Sequence, residues 1–296
     1  MNGVLVLDKA ANVSSAGAVE QVKRALGIKR AGHAGTLDPI ATGVLPICIG
    51  EATKIAGYML AEDKEYVADA ILGVETTTLD RTGDVTASAP VEVTRERVLA
   101  ALAARTGEQD QVPPMFSAIK QGGRRLYHMA RAGEEVPREP RRVRIDALEL
   151  LELAPPLVRL RIACSKGTYV RSLVADLGKD LGCGAHLREL RRTRAGLFTI
   201  AQAVPLDAAR GAPLVPMTSA ITLRAFAAPA ELVEKIRSGV QLPATLWPNV
   251  PPEGERFQLV VDGGALLAIA HVDGGKLVYD RVFRLDAPGD LPQSPP

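Results

Sequence analysis

The sequence predicts an α+β fold: a central mixed, mainly antiparallel sheet flanked by helices, followed by a small β-rich C-terminal unit. Three observations point to it. Strand-like and helix-like segments do not alternate in the regular manner of a parallel βαβ sheet. "VRLRIAC" alternates cleanly, with Val158, Leu160, Ile162 and Cys164 on one side and Arg159 and Arg161 on the other, the pattern of a strand with one buried face. "FQLVVDGGALLAIAHVDGGKLVYDRVF" holds two Asp-Gly-Gly turns between apolar runs, the mark of a β-meander.

The other elements follow in chain order. "GVLVLDK" is a short apolar strand. "SSAGAVEQVKRALG" predicts a helix capped by Ser14 or Ser15, with Val19, Val22, Ala25 and Leu26 on one face and Gly27 as its stop. "YVADAILG" has the length and composition of a strand. "TRERVLAALAARTG" predicts a second capped helix ending at Gly107. "TYVRSLVADLGKDLG" starts extended and turns helical, with Leu173, Leu177 and Leu181 in one stripe. The Pro-rich "VPLDAARGAPLVPM" reads as a linker, and a boundary near residue 220 divides the chain into 1–220 and 221–296. A chain of 296 residues is long enough for two cores.

Composition narrows the function. The hydrophobic fraction of 47% suits a soluble globular protein. No apolar run reaches membrane-spanning length, and the N-terminus lacks a basic leader, so a cytoplasmic protein with no membrane partner is expected. Cys48, Cys164 and Cys183 have no CxxC spacing and read as reduced thiols. The net charge of +2 conceals segregation: eight Lys/Arg against three Glu lie between 120 and 144, and nine against three acids between 159 and 194. The last 72 residues hold six basic and nine acidic groups. Clustered positive charge predicts a polyanionic partner, nucleic acid above all. With no GxGxxG after the first strand, no GxxxxGK[ST] and no HExxH, neither dinucleotide, P-loop nucleotide nor zinc is supported, and no cofactor is expected.

"RAGHAGTLDPIATGVLP" (30–46) sets one His and one Asp among glycines. For Asp38 two readings stand side by side: an N-cap with Pro39 at the first helical position, or a catalytic carboxylate. His33, Tyr66 and Arg171 are each unremarkable alone.

With their flanks they resemble the TruB family of bacterial tRNA pseudouridine synthases. "GVLVLDKAANVSS" resembles the family's opening strand and "RAGHAGTLDPIATGVLPICIGEATK" its catalytic loop. "KEYVADAILGVETTTLDRTGD" resembles the strand and turn that follow. "MFSAIKQGGRRLYHMARAGEEVPREPRRV" is similar to the RNA-gripping insertion, and "CSKGTYVRSLVADLGKDLGCGAHLRELRRT" to the basic strand and helix beyond. The likeness spans roughly residues 1–200, and the Gly-His-x-Gly-x-Leu-Asp-Pro run is its most specific element. "KIRSGVQLP" and "GALLAIA" are similar, more weakly, to a shortened PUA domain.

The resemblance implies a pseudouridine synthase catalytic domain over 1–220, with an RNA-gripping insertion at about 115–145, and a PUA-like RNA-binding domain over 221–296. It implies isomerisation of uridine-55 in the T loop of tRNA, the T-arm as partner, no cofactor and no obligatory protein partner. Asp38 would act at ribose C1′ as nucleophile or as base, both routes open, with Arg171 orienting it. Tyr66 would lie against the uracil, Tyr169 and Leu190 would complete the pocket, and His33 would fill the space left by the flipped base. Lys9, Lys54, Lys120, Arg124, Arg125 and Arg131 are candidate phosphate contacts. Two departures stand out: Ala10 where the family usually has Pro, and Ala34 where Thr or Ser is common, which predicts a lost RNA contact. Three other readings compete. They are a non-catalytic tRNA-binding protein of this fold, a guide-RNA-dependent relative, and a carboxylate glycosidase, which needs a second acid near Asp38 that the sequence does not offer.

Overall fold

The computed structural model describes residues 1–117, 119–134, 136–247 and 249–284. Its first part comprises β1 (Gly3–Lys9), α1 (Ser15–Leu26), β2 (Ala31–His33), β3 (Thr42–Ile49), α2 (Ala56–Leu60) and β4 (Lys64–Leu72). Next come β5 (Val74–Thr76), β6 (Val85–Ser88), α3 (Arg95–Ala104), β7 (Gly107–Gln111), β8 (Lys120–Gln121), β9 (Arg124–Arg125) and α4 (Leu126–Arg131). β10 (Arg141–Ala154), β11 (Leu157–Cys164), α5 (Val170–Asp180), β12 (Ala185–Ala195) and β13 (Phe198–Thr199) complete the large sheet. The remainder holds β14 (Ala225–Ala227), α6 (Val233–Arg237), β15 (Phe257–Val260), β16 (Leu266–Asp273) and β17 (Lys276–Val282).

The large sheet runs β1-β3-β12-β4-β11-β10-β7, with β2 added on β3 and β13 on β12. β12 pairs parallel with β3 and antiparallel with β4, so the sheet is mixed and mainly antiparallel as expected. Its two faces follow from alternation. On β11, Val158, Leu160, Ile162 and Cys164 enter the core, while Arg159 and Arg161 on the other face bond Asp69 and Glu65 of β4. On β4, Tyr66, Ala68, Ala70 and Leu72 enter that same core, which α1 and α5 cover with Ala18, Val19, Val22, Leu173, Val174 and Leu177.

Ser14, not Ser15, caps α1, its Oγ accepting from the Gly17 N–H at 3.0 Å. Gly27 ends the helix in the left-handed region at φ 68°. α3 stops at Ala104, short of the predicted Gly107. Gly107 is already paired with Ile145 as the first residue of β7, so the ladder takes the backbone the helix would have used. The predicted linker is also corrected. Val204 exchanges backbone bonds with Val6 and Asp8, and Val215 with Val4, so the Pro-rich segment lies along the outer edge of β1. A strand edge left open there would be an aggregation site.

The meander forms as expected, β15, β16 and β17 pairing antiparallel beside β14. Leu266, Ile269 and Phe283 pack with Val4, Val6, Val44 and Cys48, which seats the small sheet on the back of β1 and β3.

Gly43 marks the tightest approach in the large sheet. Its φ is +98°, and a methyl group there would stand 2.2 Å from the Arg192 carbonyl oxygen, across the parallel β3–β12 contact. Gly43→Ala should therefore destabilise the protein by ~3 kcal/mol or more. Gly27→Ala, also at positive φ (+68°) but with open space around it, should lose only about 1 kcal/mol. Thermal or urea denaturation of both variants checks the contrast.

Candidate active site

Asp38 lies in the connection between β2 and β3. Pro39 starts no helix: residues 38–41 form a turn closed by the Ala41 N–H donating to the Asp38 carbonyl at 3.0 Å, and the chain then enters β3. The N-cap reading therefore fails, and the side chain, 34% exposed, stays available. Its Oδ2 accepts from Arg171 Nε at 2.8 Å.

Arg171 opens α5 and is only 4% exposed. Its other donors go to the carbonyls of Thr78 (Nη1, 3.1 Å) and Phe116 (Nη2, 2.8 Å). Nη1 also stands 3.7 Å from Asp80 Oδ2. Asp38 is thus held by one directed bond rather than by a two-pronged clamp. Asp80 is the nearby acid that the sequence did not reveal. It is buried, and its Oδ1 accepts from the Thr78 hydroxyl and from the Thr82 N–H and hydroxyl. An acid so enclosed serves as a counter-charge to Arg171, not as the proton donor a glycosidase needs.

The other candidate residues come from the sheet and the start of α5. Tyr66 on β4 stands opposite Arg192 of β12, and Leu190, two residues earlier on the same face, stands opposite Ala68. Burial, the largest effect, pushes the Tyr66 phenol above its usual range, so it is neutral at physiological pH. Tyr169 is held at both ends of its peptide by Gln111, which accepts from its N–H at 2.8 Å and donates to its carbonyl at 3.0 Å. Burial, the largest effect, raises its phenol as well. His33 ends β2 opposite Ile47. Burial first, then the positive charge of Arg192, push its imidazole below the ordinary value of 6.5, and Nδ1 has no hydrogen-bond partner among the described residues.

The candidate phosphate contacts divide. Lys9 is 1% exposed and its ammonium donates to the carbonyls of Ala10, Val13 and Pro39. Burial, the chief cause, lowers its pKa to about 8. It holds the turn together and cannot reach a phosphate. Lys54 bonds Glu51 and the Val282 carbonyl, and lies 5.4 Å from the Phe283 ring centre, so it fastens the small sheet instead. Lys120 and Arg124 are exposed on the β8–β9 hairpin, Arg124 paired with Glu134. The side chains of Arg125 and Arg131 lie outside the described residues. Ala34 is buried in the second apolar cluster, so the hydroxyl expected there would face the core and not RNA.

Sequence reasoning missed Asp80, Gln111, Ser15 and Arg192. Ser15 Oγ accepts from the Leu37 N–H at 2.8 Å and donates to the Leu37 carbonyl at 3.0 Å. Arg192 donates to the carbonyls of Gly35, Thr36 and Val44. The partners of Gln111, Ser15 and Arg192 are backbone groups, which leave no pairing signal in the sequence.

Comparison with known proteins places this geometry in context. Residues 23–170 match the family described as TruB family pseudouridylate synthase (N terminal domain). Residues 171–233 match the tRNA pseudouridylate synthase B C-terminal domain. Against the tRNA pseudouridine synthase B of Stutzerimonas stutzeri the chain is 53% identical over 207 residues, covering 70% of this chain and 68% of that one. Against the protein of the same name from Ralstonia pickettii it is 45% identical over 302 residues, covering 96% and 95%. The crystal structure of a Cbf5-Nop10-Gar1 complex contains a chain that superposes with a TM-score of 0.73 at 26% identity, over 95% of this chain and 85% of that one.

Replacing Arg171 by Leu strands the buried Asp80 without its cation and should destabilise the fold by about 3–5 kcal/mol. Asp38→Asn, at a part-exposed position, should shift stability by less than ~1 kcal/mol; chemical denaturation of the two variants tests the difference. His33, with a folded pKa below 6.5, binds a proton less readily in the folded chain than in the unfolded one. Stability should therefore decline as pH falls below about 6.5, and His33→Gln should remove that part of the decline. Following the His33 ring by NMR titration gives the folded value directly.

Proposed function

The chain belongs to the TruB family of pseudouridylate synthases, and from that premise we propose that it isomerises uridine-55 in the T loop of tRNA to pseudouridine. The contact that carries this reading is the 2.8 Å bond from a buried Arg171 to a part-exposed Asp38. It supplies an oriented carboxylate at a surface a nucleotide can reach. The protein is an isomerase: the bond from C1′ to N1 is cut, the uracil turns, and C1′ is rejoined to C5. Atoms and oxidation state balance without a co-substrate.

A stacked base cannot meet Asp38 until it is everted. Neutral His33 suits the vacated space, since an uncharged imidazole stacks there without a desolvated charge. Asp38 then attacks C1′ or removes a proton from the sugar, and the geometry is compatible with both. Neutral Tyr66 packs on the uracil and offers its phenolic oxygen for relay of the C5 proton. Tyr169 and Leu190 line the rest of the pocket. Residues 1–220 form the catalytic domain in this reading, with the hairpin and α4 of the 115–145 insertion gripping RNA through Lys120 and Arg124, joined by Arg125 and Arg131. Residues 221–296 act as a PUA-like RNA-binding domain. Recognition rests on the folded T-arm and a few unstacked bases.

The chemistry is tested with tRNA carrying 5-³H-uridine. Wild-type protein should release tritium and leave pseudouridine mapped to position 55. Asp38→Asn should release none above background while binding T-arm RNA within about threefold of wild type, because only the reacting group has changed. Wild-type levels of release from Asp38→Asn would refute the role assigned to the carboxylate.

A further inference from the structure

Arg192 is 1% exposed and sits on the core face of β12, where neighbouring strands place apolar side chains. Its guanidinium ends on three backbone carbonyls: Val44 (Nε, 2.7 Å), Gly35 (Nη2, 3.1 Å) and Thr36 (Nη1, 3.3 Å). A buried cation matched to neutral carbonyls recovers less of its desolvation cost than one matched to a carboxylate. A leucine would be the more stabilising choice for such a position. What the arginine adds is geometry. Gly35 and Thr36 lie on the incoming limb of the turn that carries Asp38, and Val44 lies on the outgoing limb. A planar fork bridges both at once, which a lysine ammonium cannot do with comparable direction. The same side chain stands opposite Tyr66 in the β4–β12 ladder. Ser15, bonded twice to Leu37, and Lys9, bonded to Pro39, hold the residues on either side of Asp38.

We propose that Arg192 is a positioning residue for the reaction, tying the two limbs of the Asp38 turn so that the carboxylate meets the ribose in one orientation. The inference rests on the reading of Asp38 as the reacting group. Arg192 touches no substrate in this account; it acts through the backbone of the turn.

The test compares single-turnover pseudouridine formation and equilibrium T-arm binding for wild type, Arg192→Lys and Arg192→Gln, with cooperative thermal melting as the check on folding. At least one variant should fold cooperatively and bind RNA within about threefold of wild type, yet react ~10²-fold more slowly, the loss expected when a reacting group is displaced by about 1 Å. Combined with Ser15→Ala, the loss should be smaller than the product of the single losses, because both side chains hold one turn. A reaction rate within threefold of wild type in every variant that folds would overturn the assignment. So would equal losses of rate and affinity, strictly multiplicative losses with Ser15→Ala, or failure of both variants to fold. An inactive wild-type protein on the same RNA would instead overturn the reaction itself, which keeps the two failures apart.

Discussion

In the proposed reaction a carboxylate meets a sugar carbon, so it has to be exposed, and an exposed side chain has little packing to hold it in one orientation. The Arg171–Asp38 bond resolves that conflict by joining an accessible charge to a buried one. Burying the guanidinium carries a desolvation cost, offset here by the Thr78 and Phe116 carbonyls and by Asp80 at 3.7 Å. These partners belong to three segments far apart in sequence: the turn after β2, the loop between β5 and β6, and the foot of the 115–145 insertion. One arginine therefore aligns the candidate acid, the loop that encloses Asp80, and the base of the segment assigned to gripping RNA. Displacing any of them disturbs the others.

The sheet topology positions the other candidate residues. Because β12 lies between β3 and β4, Leu190 and Arg192 reach one face beside both the turn before β3 and Tyr66 on β4. The parallel contact between β3 and β12 lets their backbones close around Gly43, where any side chain would collide with Arg192. Glycine in this region thus serves strand packing at position 43. At position 35, where φ is +122° and the Arg192 guanidinium is the nearest group, it serves the turn.

Much of this was legible in the residues. Period-two alternation in "VRLRIAC" predicted which residues of β11 face the core, and serine and glycine at the ends of α1 predicted its limits, because both signals are local. Where prediction missed, a tertiary contact overrode a local one. Gly107 ends no helix because Ile145 pairs with it. The Pro-rich segment links nothing because the β1 edge captures it. Lys9 and Lys54 looked like surface cations because a lysine bonded to carbonyls is indistinguishable, in sequence, from one waiting for a phosphate. Asp38 and Arg171 were readable only as part of a motif; nothing local marks residues 133 positions apart as partners.

The charge clusters show how counting along a chain can mislead about a field in space. Nine basic residues lie between 159 and 194, yet Arg159 is taken up by Asp69 and Glu152, Arg161 by Glu65 and Glu149, and Arg191 by Asp8. Arg171 and Arg192 are buried. In the other cluster, Arg142 and Arg144 meet Glu108, Asp63 and Asp146. Antiparallel pairing brings acids of β4, β10 and β7 beside Arg159, Arg161 and Arg142, and adjacent opposite charges cancel at the range over which a polyanion is steered. Of the 159–194 cluster, then, Arg159, Arg161 and Arg191 are held in ion pairs, while Arg171 and Arg192 are turned into the interior. Lys120, exposed on its hairpin beyond the large sheet, stands apart from these pairs.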